Sequence, residues 1–312
     1  DFLLAVGGGS VIDTAKAIGY ALANPEFDIW DLFMGKATAK ACAPVGAVLT
    51  ISAAGSEPSN SCVITNEDGW LKKGVNYECS RPRFAIMDPT LTYTLPDYQT
   101  ACGCTDIMMH TMERFFAYEK DNDVTDNIAI GILRAVKKNA LILVNDPKNY
   151  NARAQIMWAG SLSHNSLTGC GIVGRGDWAT HQLEHELGGM FDVAHGAGLA
   201  AMWGSWARYV CDALPARFAQ FAREVMEVPA TGDDMIDALA GIAAFENLMH
   251  ELHMPTNLPE LGVTATEQQI ETLAYRCTYE HRRKIGYVKV LDESDIANIY
   301  RMANQVPDPL FT

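Results

Sequence analysis

The sequence lacks any run of about 18–20 apolar residues, the length that a helix needs to cross a bilayer. Basic residues are scarce, because 24 lysines and arginines face 38 aspartates and glutamates, and the formal net charge is −14. Nucleic acids and anionic membranes bind through basic patches. The composition therefore argues against a nucleic-acid or membrane partner.

No Cys-x-x-Cys pair occurs among the eight cysteines. Scattered cysteines in a chain of 312 residues are typical of reduced thiols, whereas disulfide frameworks belong to short secreted chains. We therefore expect a cytoplasmic protein. The chain also exceeds the usual size of one domain, so two domains are expected.

Residues 1–96 are typical of an α/β domain. An apolar run ends in the glycine turn at 7–10, and helical spacing follows at 11–22. Glycines in such a turn let backbone N–H groups approach a phosphate, and the helix N-terminus adds partial positive charge. A second apolar strand at 45–51 is followed by small hydroxyl and glycine residues at 52–57. These residues lie at the carboxyl end of the strand, which is where open α/β sheets bind ligands. Because the first strand is of the buried type and has no preceding Met, we expect a segment before it.

The remaining strands of this half are predicted at 62–65 and 83–87. Lys72 and Lys73 between them are most simply solvated surface charges. After residue 96 the pattern is helical, which predicts an all-α second domain at 97–312 and a cleft where the halves meet. The candidate helices are 97–118, 124–144, 150–168, 177–188, 195–211, 214–227, 232–251, 266–281 and 293–304.

Three histidines, His181, His185 and His195, lie within fifteen residues. His181 and His185 are four apart, so on a helix they share one face and could converge on one ion. A continuous helix would carry His195 roughly 21 Å from His181, so the chain has to turn back. The paired glycines at 188–189 are a suitable place for the helix to end.

A second pair has the same spacing, because Asp106 and His110 are also four residues apart. Two helices could each present two groups to one point. Asp106, His110 and two of the three later histidines would form a mixed nitrogen and oxygen site, which suits Fe²⁺ or Zn²⁺ better than Ca²⁺ or Mg²⁺. Spacing alone does not say which two histidines take part. The other histidines have no matched partner and are interpreted as structural: His164, His250, His253 and His281.

Several motifs in this order resemble the iron-containing (type III) alcohol dehydrogenases. They are GGGSVIDTAK at 7–16, the turn at 52–57, Asp88-Pro89, Asp106-x3-His110 and His181-x3-His185-x9-His195-Gly196. The segment DWATHQLEHEL at 177–187 is most similar to the butanol dehydrogenase branch of that family. The resemblance implies a Rossmann-like dinucleotide-binding domain, here lacking the family's first βαβ portion, followed by a helical metal-binding domain.

The resemblance also implies roles for individual residues. The metal ligands would be Asp106, His110, His181 and His195, and His185 would face substrate and nicotinamide. The cofactor would contact Gly8, Gly9, Ser10, Asp13, Thr50, Ser52, Ser56 and Lys72, with the part played by Asp13 left open. The metal would be Fe²⁺, with Zn²⁺ as the alternative, and the cofactor NAD or NADP. The expected reaction is hydride transfer between NAD(P)H and an aldehyde or primary alcohol such as butyraldehyde or butanol, in a homodimer.

Other functions stay open at this point. His181-Gln-Leu-Glu-His185 also matches the H-x-x-E-H pattern of zinc proteases, with Glu184 as the base. The alcohol dehydrogenase hypothesis instead expects Glu184 to matter little. A truncated, non-catalytic relative would bind metal but not cofactor. Dehydroquinate synthase and glycerol-1-phosphate dehydrogenase are related, but their phosphorylated substrates need more basic residues near the metal than this sequence offers.

Overall fold

The computed structural model describes residues 2–117, 121–172 and 176–305. Its strands are β1 (Leu3–Gly7), β2 (Val45–Leu49), β3 (Ser61–Asn66), β4 (Leu71–Asn76) and β5 (Ala85–Ile86). Its helices are α1 (Gly9–Ala23), α2 (Ile29–Phe33), α3 (Asp97–Phe116), α4 (Asp123–Asn145), α5 (Tyr150–His164), α6 (Ala179–Phe191), α7 (His195–Val210), α8 (Pro215–Glu224), α9 (Asp234–Glu251), α10 (Glu267–Cys277) and α11 (Glu293–Ala303). Short 3-10 turns lie at Glu78–Ser80, Pro89–Thr92, Leu167–Gly169 and Cys211–Ala213.

A parallel sheet in the order β1-β2-β5 forms the centre of the first half. Apolar residues with small or branched side chains make up β1 and β2. One face of β1 is buried, whereas Leu4 and Val6 on its other face are more than half exposed. Ile12 of α1 is buried against Ala5 and Leu49 of this sheet, and Met157 of α5 joins the same cluster. The sheet is therefore packed against both its own helix and the helical half.

An antiparallel hairpin of β3 and β4 follows the sheet, and the sequence predicted β3 but missed β4. The interpretation of Lys72 and Lys73 as solvated charges is wrong. Lys73 is buried with its Nζ 3.4 Å from Oε1 of Glu186, and Lys72 Nζ lies 3.2 Å from Oε2 of Glu184. The strand was missed because sequence patterns identify a strand by its apolar side chains, whereas β4 carries lysines that form ion pairs with α6.

The long helix α3 is the central element of the helical half. Every residue from Ala101 to Phe116 is buried, because α4, α5 and α7 pack around it. Phe116 at its end stacks on Phe218, with ring centroids 4.3 Å apart, and contacts Trp203 and Trp206. A helix buried on all sides carries the polar side chains of its middle turns into the interior. No helix of the described residues is long and apolar enough to span a membrane.

Four predicted helix ends, those of α5, α6, α8 and α10, differ from the structure by three or more residues. Helix α8 ends at Glu224 and α10 at Cys277, before their predicted ends at 227 and 281. Helix α5 ends at His164, and a 3-10 turn takes over the last predicted residues. Helix α6 continues through Gly188 and Gly189 to Phe191, where Asp192 in the left-handed conformation (φ 51°) ends it. The two glycines serve close packing instead. A Cβ on Gly189 would lie 2.8 Å from the carbonyl oxygen of Trp70 beside β4, so the helix and the hairpin approach each other at this point.

Candidate active site

Three helices bring one acidic and three imidazole side chains to a common point. Asp106 and His110 come from α3, His181 from α6, and His195 is the first residue of α7. Asp106 Oδ1 lies 3.5 Å from His110 Nδ1 and 3.6 Å from Nε2 of both His181 and His195. Asp106, His181 and His195 form a group whose ligand atoms all lie within 4.8 Å of one another, which suits a single cation. His110 reaches Asp106 but is not in that tighter group.

Three polar atoms of these four side chains are buried without hydrogen-bond partners among the described residues. They are Asp106 Oδ1, His110 Nδ1 and His181 Nε2. Burial raises the pKa of Asp106, but the imidazoles of His110 and His195 outweigh it and lower that pKa well below its usual range. The carboxylate therefore stays ionised in the interior. Buried, unsatisfied donor atoms around an ionised carboxylate are what a divalent metal requires, so these residues fit one.

His185, one turn after His181, belongs to a different group. Its ring centroid lies 6.4 Å from that of His181, and its ligand atom groups with those of Glu184 and His195, away from Asp106. Burial and the ammonium of Lys72 lower the pKa of His185 well below its ordinary value, so the imidazole is neutral near pH 7. Helical spacing allowed both histidines to be ligands, whereas the geometry pairs Asp106 with His181 and His195.

A carboxylate accepts a hydrogen bond from the Nδ1 of each of two histidines of the group, on the side of the ring away from Asp106. His181 Nδ1 donates to Glu113 Oε1 at 2.9 Å, and its backbone N–H donates to the same oxygen at 3.0 Å. His195 Nδ1 donates to Glu184 Oε2. Burial lowers the pKa of His181, but Asp106 and Glu113 outweigh it and raise that pKa to about 9. A carboxylate on the far nitrogen fixes the tautomer and the ring orientation of a metal-binding histidine.

The histidines lie at one end of a cavity of about 1130 Å³. The glycine turn before α1, with Gly8, Gly9 and Ser10, lines another part of the same cavity, and the predicted cofactor residues Asp13, Ser56 and Lys72 line it too. A Cβ on Gly8 would lie 2.1 Å from Cγ2 of Ile51, so no other residue fits there without displacing its neighbour. The first turn of α1 has no acidic residue that would repel an anion. The cavity has room for a dinucleotide and a small substrate.

Comparison with known proteins agrees with this geometry. Residues 1–89 match the model described as iron-containing alcohol dehydrogenase, and residues 100–304 match the model of the C-terminal part of the Fe-containing alcohol dehydrogenase family. The chain belongs to the iron-containing alcohol dehydrogenase family.

Relatives within the iron-containing alcohol dehydrogenase family cover most of the chain. A probable NADH-dependent butanol dehydrogenase 1 of Bacillus subtilis is 36% identical over 96% of this chain and 76% of the relative. An NADPH-dependent aldehyde reductase of Escherichia coli is 37% identical over 84% of this chain and 67% of the relative. The crystal structure of an NADH-dependent butanol dehydrogenase A from Thermotoga maritima superimposes with a TM-score of 0.91 at 35% identity, covering 97% of this chain and 76% of that one.

Family membership decides several of the sequence predictions. The fold class, the oxidoreductase class and the use of a divalent metal with a nicotinamide cofactor are confirmed. The protease interpretation is wrong, because His181 and His185 face different groups and Glu184 is occupied by His195 and Lys72. The expectation that Glu184 would matter little stays a prediction, and its contacts with His195 and Lys72 argue against it. Its position on α6 is off the histidine face, but α7 packs on that flank and buries the side chain completely.

Two predicted cofactor residues of this iron-containing alcohol dehydrogenase are absent from the described cavity wall. The N–H of Thr50 donates to the carbonyl oxygen of Gly7, which extends the pairing of β1 and β2. Ser52 is buried, and its carbonyl oxygen would lie 2.2 Å from a Cβ on Gly103 of α3. Both residues hold the loop after β2 in place, and their contact with a cofactor stays a prediction.

Asp13 lines the cavity, but its carboxylate faces the protein. One oxygen accepts from Ser56 Oγ, and the other accepts the N–H of Val63 at 2.8 Å. Lys16 Nζ lies 3.8 Å away. Burial raises the pKa of Asp13 above its usual range, against the charge of Lys16. These contacts join α1 to the loop at 56–61 and to β3, so the carboxylate shapes the cofactor end of the cavity.

Several residues near the metal group were not found from the sequence. Glu113 follows Asp106 by seven positions, and this helical spacing could have revealed it. His164, interpreted as structural, lines the cavity with its ring 4.1 Å from that of His110. Trp178 contacts His181 at 5.2 Å and has the guanidinium of Arg114 4.7 Å above its ring. Trp178 lies three residues before His181, a helical spacing that could have suggested this contact, whereas no comparable spacing marks His164.

Proposed function

We propose that this chain reduces short aldehydes such as butyraldehyde to primary alcohols, and oxidises the alcohols in reverse, with NADH or NADPH. The observation that carries the proposal is the single cavity with a glycine turn and helix N-terminus at one end and the group of Asp106, His181 and His195 at the other. Relatives named for butanol dehydrogenation and aldehyde reduction agree with this substrate class.

The proposed metal ligands are Asp106, His110, His181 and His195. A set of three imidazoles and one carboxylate accepts several first-row ions, and we assign Fe²⁺ first with Zn²⁺ as the alternative. When bound, the ion supplies Lewis-acid polarisation of the carbonyl or alcohol oxygen. Glu113 and Glu184 hold the rings of His181 and His195 in the orientation that this binding requires.

The cofactor end is assigned to Gly8, Gly9 and Ser10, whose place at the start of α1 suits the pyrophosphate. Ser56 and Lys72 continue along the wall towards the histidines, and Asp13 keeps Ser56 in place. When bound there, NAD(P)H would supply the hydride for the aldehyde carbon, and one proton would complete the alcohol. His185 lines the reacting end as a neutral imidazole, so it can hydrogen-bond the substrate and relay a proton from solvent to the substrate oxygen in the reduction, and back to solvent in the oxidation.

The test is oxidation of NADH and of NADPH in the presence of butyraldehyde, with the chain loaded with Fe²⁺ or Zn²⁺. His195→Ala is the matched control, because it removes one imidazole of the group and no residue of the glycine turn. We expect turnover with one or both cofactors and a loss of at least about 100-fold in the variant, the scale of removing one electrostatic group from a reacting centre. Aldehyde-dependent oxidation no faster than that of His195→Ala contradicts the proposal, and saturable metal binding without NADH or NADPH binding indicates the non-catalytic relative.

We further propose a division into a dinucleotide-binding domain at 1–96 and a helical metal-binding domain at 97–312, and a homodimer in the cytoplasm. The domain division agrees with strands up to Ile86 and with helices from Asp97 onward. All eight cysteines are free, which suits a reducing compartment. The homodimer rests on the family resemblance, and sedimentation of the purified chain would test it.

A further inference from the structure

Two lysines of β4 pair with two glutamates of α6, and one of these pairs extends to the metal group. Lys73 Nζ lies 3.4 Å from Glu186 Oε1, and neither side chain forms a hydrogen bond or ion pair with Asp106, His181 or His195 in the part of the chain that the structure describes. Lys72 Nζ lies 3.2 Å from Glu184 Oε2, and the same oxygen accepts from Nδ1 of His195. Lys72 Nζ is also 3.4 Å from that Nδ1. One carboxylate oxygen therefore joins a lysine of the cavity wall to a histidine of the metal group.

The space for this carboxylate depends on two glycines. A Cβ on Gly188 of α6 would lie 2.7 Å from Glu184 Oε1, and a Cβ on Gly198 of α7 would lie 2.8 Å from Glu184 Cγ. The side chain is fully buried, and Oε1 has no hydrogen-bond partner among the described residues. A buried carboxylate with an unsatisfied oxygen costs stability, and an apolar side chain would fill the space at lower cost. Stability therefore does not account for a glutamate at this position.

We propose that Glu184 is a positioning residue that couples the metal end of the cavity to the cofactor end. It accepts the Nδ1–H of His195 and so holds the ring with Nε2 towards Asp106, and it holds the ammonium of Lys72 on the cavity wall. The inference rests on the proposed function, which assigns His195 to the metal and Lys72 to the cofactor. Without the carboxylate, the ring of His195 and the ammonium of Lys72 both lose a partner that fixes their position. The affinity for the metal and the affinity for the cofactor therefore fall together.

The test measures binding and needs no turnover. Metal-free chain, Glu184→Gln and Glu186→Gln are titrated with Zn²⁺ against a chromophoric chelator, and then with NADH and NADPH by fluorescence. Glu186→Gln is the matched control, since it breaks the same kind of ion pair between β4 and α6 but touches no histidine of the group. We expect Glu184→Gln to weaken Zn²⁺ binding by about 10–100-fold and the preferred nucleotide by about 5-fold or more, and Glu186→Gln to change each by less than about 3-fold.

Three outcomes overturn the inference. Unchanged Zn²⁺ affinity in Glu184→Gln would show that Glu184 does not position His195. Unchanged nucleotide affinity would show that Glu184 does not act on the nucleotide through Lys72. Equal losses in Glu184→Gln and Glu186→Gln indicate that both pairs merely dock β4 on α6. If the unsubstituted chain binds neither Zn²⁺ nor Fe²⁺, the proposed function itself fails, which is distinct from a failure of the variants alone.

A second variant keeps the inference testable if Glu184→Gln does not fold, as judged by circular dichroism. Lys72→Met leaves the carboxylate on His195, so we expect Zn²⁺ affinity within about 3-fold of the original and nucleotide affinity reduced by about 5-fold or more. Where both single variants fold, the double variant should bind nucleotide as Lys72→Met does, because the carboxylate acts on the nucleotide through the lysine. Unchanged nucleotide affinity in Lys72→Met, or additive losses in the double variant, overturns the coupling.

Discussion

At the scale of single residues, Lys16 shows how the cofactor end is held in shape. Its side chain has no exposed surface, and its three N–H groups have four oxygens within hydrogen-bond distance of Nζ: Ser56 O (2.8 Å), Ser56 Oγ (2.8 Å), Ser59 O (3.0 Å) and Ser61 O (2.7 Å). Burial lowers the pKa of Lys16, and the carboxylate of Asp13 opposes that change. One lysine thus provides hydrogen-bond donors for the backbone carbonyls of the segment at 56–61 and connects that segment to α1.

We predict that Lys16→Met lowers the free energy of unfolding by about 3–5 kcal/mol, the cost of removing one partner from a buried ion pair. Three backbone carbonyls lose their donor, and Asp13 keeps only neutral partners. Urea unfolding followed by circular dichroism measures the change. Lys36→Met is the matched control, because Lys36 is 68% exposed and its pair with Asp31 should be worth under about 1 kcal/mol. Equal losses in the two variants contradict the prediction.

The residues that sequence reasoning found and missed differ in the range of their contacts. Asp106 and His110, and likewise His181 and His185, are marked by spacing within one helix, so periodicity suffices to find them. The partners of Lys16 are about 40 residues away, and Lys72 is 112 residues from Glu184. No local pattern encodes such pairs, and the sequence pattern alone led to the interpretation of Lys72 as a solvated surface charge.

At the scale of elements, the site depends on how closely α7 approaches α3. A Cβ on Gly196 would lie 2.1 Å from the carbonyl oxygen of Cys102 and 2.7 Å from its Cα, so the first turn of α7 rests directly on the backbone of α3. This contact brings His195 within reach of Asp106. The sequence predicted both helices and the return of the chain. The sequence placed that return at Gly188, because glycine has a low helix propensity. The close packing that keeps this glycine pair inside α6 becomes visible only in the folded structure.

We predict that Gly196→Ala separates α7 from α3, weakens Zn²⁺ binding and lowers the free energy of unfolding by about 1–3 kcal/mol, the usual cost of overpacking. Gly131→Ala is the comparison, since Gly131 lies within α4 and a Cβ there meets nothing within 4 Å. That change should stabilise the chain by about 0.5–1 kcal/mol, because alanine loses less backbone freedom in a helix. Chelator competition and urea unfolding give both quantities. Normal Zn²⁺ affinity in Gly196→Ala means that the contact does not position His195.

At the scale of the whole molecule, the cavity lies where the sheet half meets the helical half. The sequence predicted this cleft from the change of pattern near residue 96, and the ligand set from the family resemblance. It did not predict that the hairpin of β3 and β4 forms part of the wall, because β4 carries lysines whose partners lie on α6. Metal ligands on α3, α6 and α7 would tie three helices of one core together, so metal binding should stabilise the whole fold.

Removal of metal is therefore predicted to destabilise the chain by mass action. A ligand that binds the folded state alone adds about 2.7 kcal/mol when its free concentration is 100 times Kd and about 4.1 kcal/mol at 1,000 times Kd. Urea unfolding with Zn²⁺ at these ratios, and again after chelation, measures the difference. Asp106→Asn should lose most of the metal effect, because an amide cannot supply the anionic oxygen on which all three histidines converge. Equal stabilisation of the two chains by Zn²⁺ would mean that the ion acts elsewhere.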